Sequence, residues 1–178
     1  MKILVIGGGG REHAIVKKLK ESKRVDALYC MPGNAGIASD AVCVDGKATD
    51  IDKAVSFSRE NKIDLVFVAP DDPLSLGMVD ALNAAGIRAF GPVKAAARLE
   101  GSKAFSKDFM IRHGIPTARY ECFSDYDKAL DYVRKSDFPL VLKADGLALG
   151  KGVLICKNLE EAEDGLKKLM LDRAFGAS

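Results

Sequence analysis

Short runs that are apolar almost throughout constrain this chain more than any other feature. "KILVI" (Lys2–Ile6), "ALYCM" (Ala27–Met31), "AVCV" (Ala41–Val44), "DLVFVA" (Asp64–Ala69) and "IRAF" (Ile87–Phe90) recur with helical segments between most of them. A strand with one wet face alternates polar and apolar residues. These runs do not, so both faces must be covered, and helices joining successive strands provide the cover. The helical segments carry their own signals. "REHAIVKKLKES" spaces Ala14, Ile15 and Leu19 along one face. Thr49 followed by Asp52 predicts a capping box opening a helix through Ala54, Val55 and Phe57. Asp72 and Pro73 read as N-cap and first helical residue of "LSLGMVDALNAAG". Residues 1–100 are thus expected to form an α/β, Rossmann-like domain on a parallel sheet.

The pattern changes at Ser102. Ser102 and Gly114 bracket the helix "KAFSKDFMIRH", "TARYECF" reads as a strand, and Ser124 with Asp127 caps "YDKALDYVRKS". "FPLVLKAD" and "VLICK" read as strands flanking a glycine-rich stretch, and Asn158 with Glu161 caps a final helix. Residues 101–178 therefore read as an α+β lobe with no strand to close it. Net charge is +2 with 29% charged residues, so neither nucleic acid nor a membrane is indicated as partner. Cys30, Cys43, Cys122 and Cys156 sit singly in largely apolar runs and read as buried reduced thiols, which fits a cytoplasmic setting.

"GGGGREHA" follows the first strand and opens a helix. Such a turn points backbone N–H groups of Gly8, Gly9 and Gly10 at the positive end of a helix dipole, a place for an anion. Arg11 adds a fork-shaped donor suited to a phosphate monoester. A dinucleotide fingerprint fails in both registers, because its third glycine would fall on Glu12 or His13, and "LYCMPGN" lacks the acidic residue for a ribose. A nicotinamide or flavin oxidoreductase remains the weaker alternative, and a turn built only for close packing is the bland one. The loops after the other strands, where open sheets bind ligands, offer Asn34 and Asp71 to a sugar or amine. Capping alone accounts for Asp72.

"KADGLALGKGV" (Lys143–Val153) is a second glycine run. It is not a Walker loop: three residues separate Gly146 from Gly150, and Gly152 stands where Ser or Thr should hold magnesium. Lying between two strands, it reads as a hairpin flap that can fold over nucleotide phosphates. Lys143 points a charge inward from the same strand face as Val141.

With "GGGGREHA", "PGNAG", "LEGSKAFSK", "GIPTARY" and "LKADGLALGKGV" in this order, the chain resembles the amino-terminal part of phosphoribosylamine–glycine ligases, members of the ATP-grasp superfamily. The resemblance implies a pre-ATP-grasp domain followed by an incomplete ATP-grasp lobe. It implies ATP-dependent ligation of glycine to 5-phosphoribosylamine through glycyl phosphate, in purine synthesis. By the same resemblance, Gly8–Arg11 suit the sugar phosphate, and Lys103 and Lys143 match the ATP-phosphate lysines. Gly146, Gly150, Lys151 and Gly152 match the mobile glycine loop. Two residues depart from the family pattern: Asp71 stands at a usual glutamate, and Leu149 at a usual alanine. Family chains run more than twice as far, so ligands for Mg2+ or Mn2+ are expected beyond Ser178, and no metal ligand or catalytic residue is assigned in this chain. On its own the chain is expected to be inactive, with a non-catalytic sugar-phosphate-binding fragment as the alternative.

Overall fold

The structure, a computed structural model, describes residues 1–146 and 152–172. It divides into two units, Met1–Arg98 and Leu99–Ser178.

The first unit runs β1 (Lys2–Gly7), α1 (Gly10–Lys20), β2 (Ala27–Pro32), β3 (Val42–Cys43), α2 (Ile51–Glu60), β4 (Leu65–Val68), α3 (Asp71–Leu76), α4 (Met78–Ala84) and β5 (Ala89–Phe90). All five strands are parallel, in the order β3-β2-β1-β4-β5. Central β1 pairs with β2 from Lys2↔Ala27 to Gly7↔Pro32, and with β4 from Ile3↔Leu65 to Ile6↔Val68. Its period of two then feeds two cores. Leu4 and Ile6 join Val66, Val68, Met78, Val79 and Leu82 on one side. Ile3 and Val5 join Val16, Cys30 and Ile37 on the other. Each fully buried side chain of this size contributes about 1.5–3 kcal/mol, which is why β1 carries no polar residue between Ile3 and Ile6.

The second unit follows α5 (Lys94–Gly101), a helix that spans the division at Arg98. It contains α6 (Lys103–Arg112), α7 (Tyr126–Val133), the antiparallel pair β6 (Leu140–Lys143) and β7 (Val153–Cys156), α8 (Leu159–Leu166) and a π-helical turn, Lys167–Leu171. Leu140, Leu142, Leu154 and Cys156 pack against Ala129 and Val133 of α7 and Ala162 and Leu166 of α8. Gly165 makes the close approach possible, since a Cβ there would come 2.9 Å from Leu142 Cδ1. The opposite face of the pair, with Val141, Lys143, Val153 and Ile155, is exposed.

Several sequence expectations need correction. "TARYECF" is not a strand. Its side chains bind α6 instead: Lys107 Nζ donates to Thr117 Oγ1 at 2.6 Å, and the Tyr120 hydroxyl donates to Asp108. Asp50, not Thr49, caps α2 by accepting from Lys53 N–H, and Asp125 caps α7 by accepting from Lys128 N–H. Pro70 is the N-cap of α3, so Asp72 lies inside the first turn with Pro73 after it, where helical N–H groups lack partners anyway. Gly77, at φ +94°, splits the expected single helix into α3 and α4. Helix α5 went unforeseen. Cys43 and Cys122 are exposed, while Cys30 and Cys156 are buried.

Candidate functional site

Sheet order reverses direction between β1 and β4, and the loops at the carboxyl ends of those strands flank the switch point where open parallel sheets bind ligands. The loop after β1 holds the glycine run. The structure separates what each glycine does. At Gly7, φ is +122°, and a Cβ would sit 2.5 Å from Glu12 Cγ. At Gly8 it would sit 2.5 Å from the backbone oxygen of Gly33. Packing alone therefore requires both. Gly9 is the N-cap of α1. At Gly10 a Cβ would meet nothing within 4 Å, so no internal contact explains that glycine.

Glu12, which the sequence reading used only to reject a fingerprint, is buried, and its Oε2 accepts the Gly9 N–H at 2.6 Å. One of the three N–H groups expected to face an anion is thus already engaged. Gly10 and Arg11 open the helix, where no carbonyl lies four residues back in the helix to take their N–H groups. The signal for Glu12 was present: a glutamate three residues after an N-cap position is half of a capping box.

Asn34 braces this loop. Its Nδ2 donates to Gly8 O at 2.7 Å and its Oδ1 accepts from Ile37 N–H at 2.9 Å. The turn after it is fastened to α1 through Asp40, which meets Lys20 Nζ at 2.9 Å and His13 Nε2 at 3.4 Å. Hydrogen bonding from Lys20, aided by His13, holds the Asp40 carboxyl below its ordinary pKa. Arg11 faces Asp71, the first residue of α3, at 3.8 Å, with both side chains exposed. Gly8, Gly9, Gly10, Arg11, Asn34 and Asp71 therefore gather around the ends of β1, β2 and β4.

In the second unit the organising residue is Asp145, two residues after Lys143. Its Oδ1 accepts from Lys103 N–H at 2.6 Å and Ala104 N–H at 3.2 Å, and its Oδ2 accepts from the Ser102 hydroxyl at 3.0 Å. Partial burial pushes this carboxyl up, but the hydrogen bonds from Ala104, Ser102, Gly146 and Lys103 outweigh it, leaving the pKa below the ordinary value. Ser102 also caps α6, its Oγ accepting from Phe105 N–H at 3.1 Å. Lys103 Nζ donates to Gly146 O at 2.7 Å. Lys143 sits on the exposed face of β6 opposite Val153, not inward as expected, because the face it shares with Val141 is the uncovered one. Gly146 has φ +84°, and Ala144 N–H donates to Gly152 O at 2.8 Å across the base of the hairpin. Gly150 and Lys151 lie outside the described residues, as does most of the segment expected to be a mobile flap. Among the described residues, no three of His, Cys, Asp and Glu gather as a metal site, and no helix is long and apolar enough to cross a membrane.

Residues 1–100 match the family model of the phosphoribosylglycinamide synthetase N domain, and residues 101–178 match that of the ATP-grasp (A) domain of the same synthetase. The phosphoribosylamine–glycine ligase of Streptococcus pyogenes is 48% identical over 100% of this chain and 42% of its own length. That of Salmonella typhimurium is 51% identical over 99% of this chain, again 42% of the relative. The chain thus spans about two-fifths of the length of the curated relatives it matches. Among solved structures, phosphoribosylamine–glycine ligase from Thermotoga maritima aligns with TM-score 0.79 and 32% identity, over 99% of this chain and 41% of that one. A biotin carboxylase domain from Hydrogenobacter thermophilus, solved with MgADP, shares the fold at TM-score 0.72 and 20% identity, over 95% of this chain and 42% of that one.

Proposed function

The chain belongs to the phosphoribosylglycinamide synthetase family, and from that premise we propose that it forms the amino-terminal part of an ATP-dependent carbon–nitrogen ligase. In this reading the enzyme joins glycine to 5-phosphoribosylamine in the cytoplasm, giving glycinamide ribonucleotide for purine synthesis. One observation carries it: each unit has its own candidate phosphate-holding arrangement, the glycine turn with Arg11 in the first and the lysine–glycine cluster in the second. A ligase acting on a sugar phosphate at the expense of ATP needs two. A dinucleotide dehydrogenase would centre on the turn alone.

The N–H groups of Gly8, Gly10 and Arg11 and the Arg11 guanidinium hold the sugar phosphate. Gly9 contributes through its position rather than its N–H, which Glu12 occupies. Asn34 and Asp71 orient the ribose or its amine. Lys103 and Lys143 carry the nucleotide phosphates, with Gly146, Gly150, Lys151 and Gly152 contributing to the same site. Glycine's carboxylate attacks the γ-phosphorus, ADP leaves, and the amine displaces phosphate from glycyl phosphate. The two ammonium groups neutralise charge that develops on the transferring phosphoryl group. Mg2+ or Mn2+ would supply further neutralisation when bound with ATP; the described residues offer no cluster of ligands for it.

Lys143→Met should weaken ATP binding far more than Lys128→Met, on the exposed surface of α7. Charge-assisted contacts to phosphate are worth about 1.5–3 kcal/mol. Equal calorimetric losses would remove Lys143 from the ATP site. The chain's span of about two-fifths of its relatives' length supports binding without turnover by this chain alone. With magnesium, ATP, glycine and phosphoribosylamine it should then release no ADP above background.

A further inference from the structure

Asp145 is a carboxylate that neither the family resemblance nor the comparisons assign, and it ties the backbone of Lys103 to the chain just beyond Lys143. Asp145 takes the N–H groups of Lys103 and Ala104 and the Ser102 hydroxyl, while Ser102 takes the N–H of Phe105. The whole first turn of α6 is satisfied in this way, so that helix end is closed to a ligand anion. Asp145 lies two residues beyond Lys143 on the chain, and the next residue, Gly146, accepts from Lys103 Nζ. These hydrogen bonds join α6 to the end of β6.

We propose that Asp145 is a positioning residue for the nucleotide: it holds the first turn of α6 against the start of the glycine loop, and so fixes Lys103 relative to Lys143 for a shared polyphosphate. This rests on the reading of both lysines as phosphate ligands. Simple electrostatics argues the other way. A bystander carboxylate near a bound polyanion repels it, and its removal should tighten ATP binding. Position and charge therefore predict opposite signs.

The test is calorimetric titration of the 178-residue chain with ATP. Asp145→Asn, which removes the charge and turns an N–H toward Ser102, should weaken binding about tenfold, equivalent to about 1.4 kcal/mol. Asp145→Glu, which keeps the charge but moves the oxygens, should weaken it too, and it carries the test if the asparagine variant does not fold. In a Lys103→Met background the further loss from either substitution should vanish, because the carboxylate acts through Lys103. Tighter or unchanged binding by Asp145→Asn overturns the proposal. So does an equal loss in both backgrounds, which would mean general loosening of the lobe. If Lys103→Met alone leaves ATP affinity unchanged, the ATP reading of Lys103 fails and this proposal with it. If Lys103→Met weakens binding but the coupling is absent, only the role of Asp145 fails.

Discussion

Gly8→Ala and Gly10→Ala differ by one methyl each, two residues apart in the same turn, and the structure gives them opposite consequences. At Gly8 the new Cβ would lie 2.5 Å from Gly33 O and 3.2 Å from Gly33 C, backbone atoms that cannot swing aside. Overpacking of this kind costs about 1–3 kcal/mol. At Gly10 the Cβ enters open space in the first turn of α1, where alanine gains up to about 0.5–1 kcal/mol over glycine. With a urea m-value of about 2 kcal/mol/M, the midpoint should fall by about 1 M for Gly8→Ala and rise by a few tenths for Gly10→Ala. Amide NMR signals from β1 and β4 would follow the first unit by itself. The open space at Gly10 is also where a phosphate would approach, so Gly10→Ala should weaken ribose 5-phosphate binding about tenfold while raising stability. Undiminished affinity in Gly10→Ala would refute the reasoning, leaving the glycine run as a packing device. A Gly8→Ala chain as stable as the parent would refute the geometry.

Arg11→Ala should lower ribose 5-phosphate affinity about tenfold or more in calorimetry, as loss of a charge-assisted contact implies. The same change should shift the urea midpoint little, because the exposed Arg11–Asp71 pair contributes about 0–1 kcal/mol. The Asp145 carboxyl has its pKa lowered from 3.8, so its contribution to stability is present above that value and lost as pH falls through the lower, folded one. Acid unfolding of the second unit should accordingly lose part of its steepness below about pH 4 in Asp145→Asn. Burial, with smaller effects from Cys43 and Glu12, pushes the Cys30 thiol up to about 12. Iodoacetamide at pH 8, read by mass spectrometry, should therefore label exposed Cys43 and Cys122 well before Cys30 and Cys156.

The parallel sheet was legible because burial on two faces leaves a mark no other arrangement leaves: strands such as Ile3–Ile6 with no polar residue. Helix starts were less legible. Thr49 and Asp50 are both good caps, and sequence does not say which one turns its side chain onto the helix. "TARYECF" has strand composition, but a strand also needs a ladder partner, and here Lys107 and Asp108 of α6 take its polar groups. Arg11 was proposed from its place beside the glycine turn, and Asn34 and Asp71 from the rule that open sheets bind ligands at strand ends, which needs only the order of elements. Glu12 and Asp145 were passed over because their importance lies in contacts: one turns back on its own loop, and the other reaches 42 residues along the chain to Lys103 N–H. The inward Lys143 failed for a related reason. Alternation gives the face a residue shares, and only packing decides which face is covered.

We propose two phosphate sites in this chain, one in each unit, for two different substrates. Amide NMR of the 178-residue chain tests it most directly, with ribose 5-phosphate and ATP titrated separately and then together. Ribose 5-phosphate should move the signals of Gly8, Gly10 and Arg11, and ATP those of Lys103, Lys143 and Gly146. Each response should saturate, and neither ligand should displace the other. Both ligands shifting one common set of residues, or competing for it, would contradict the account.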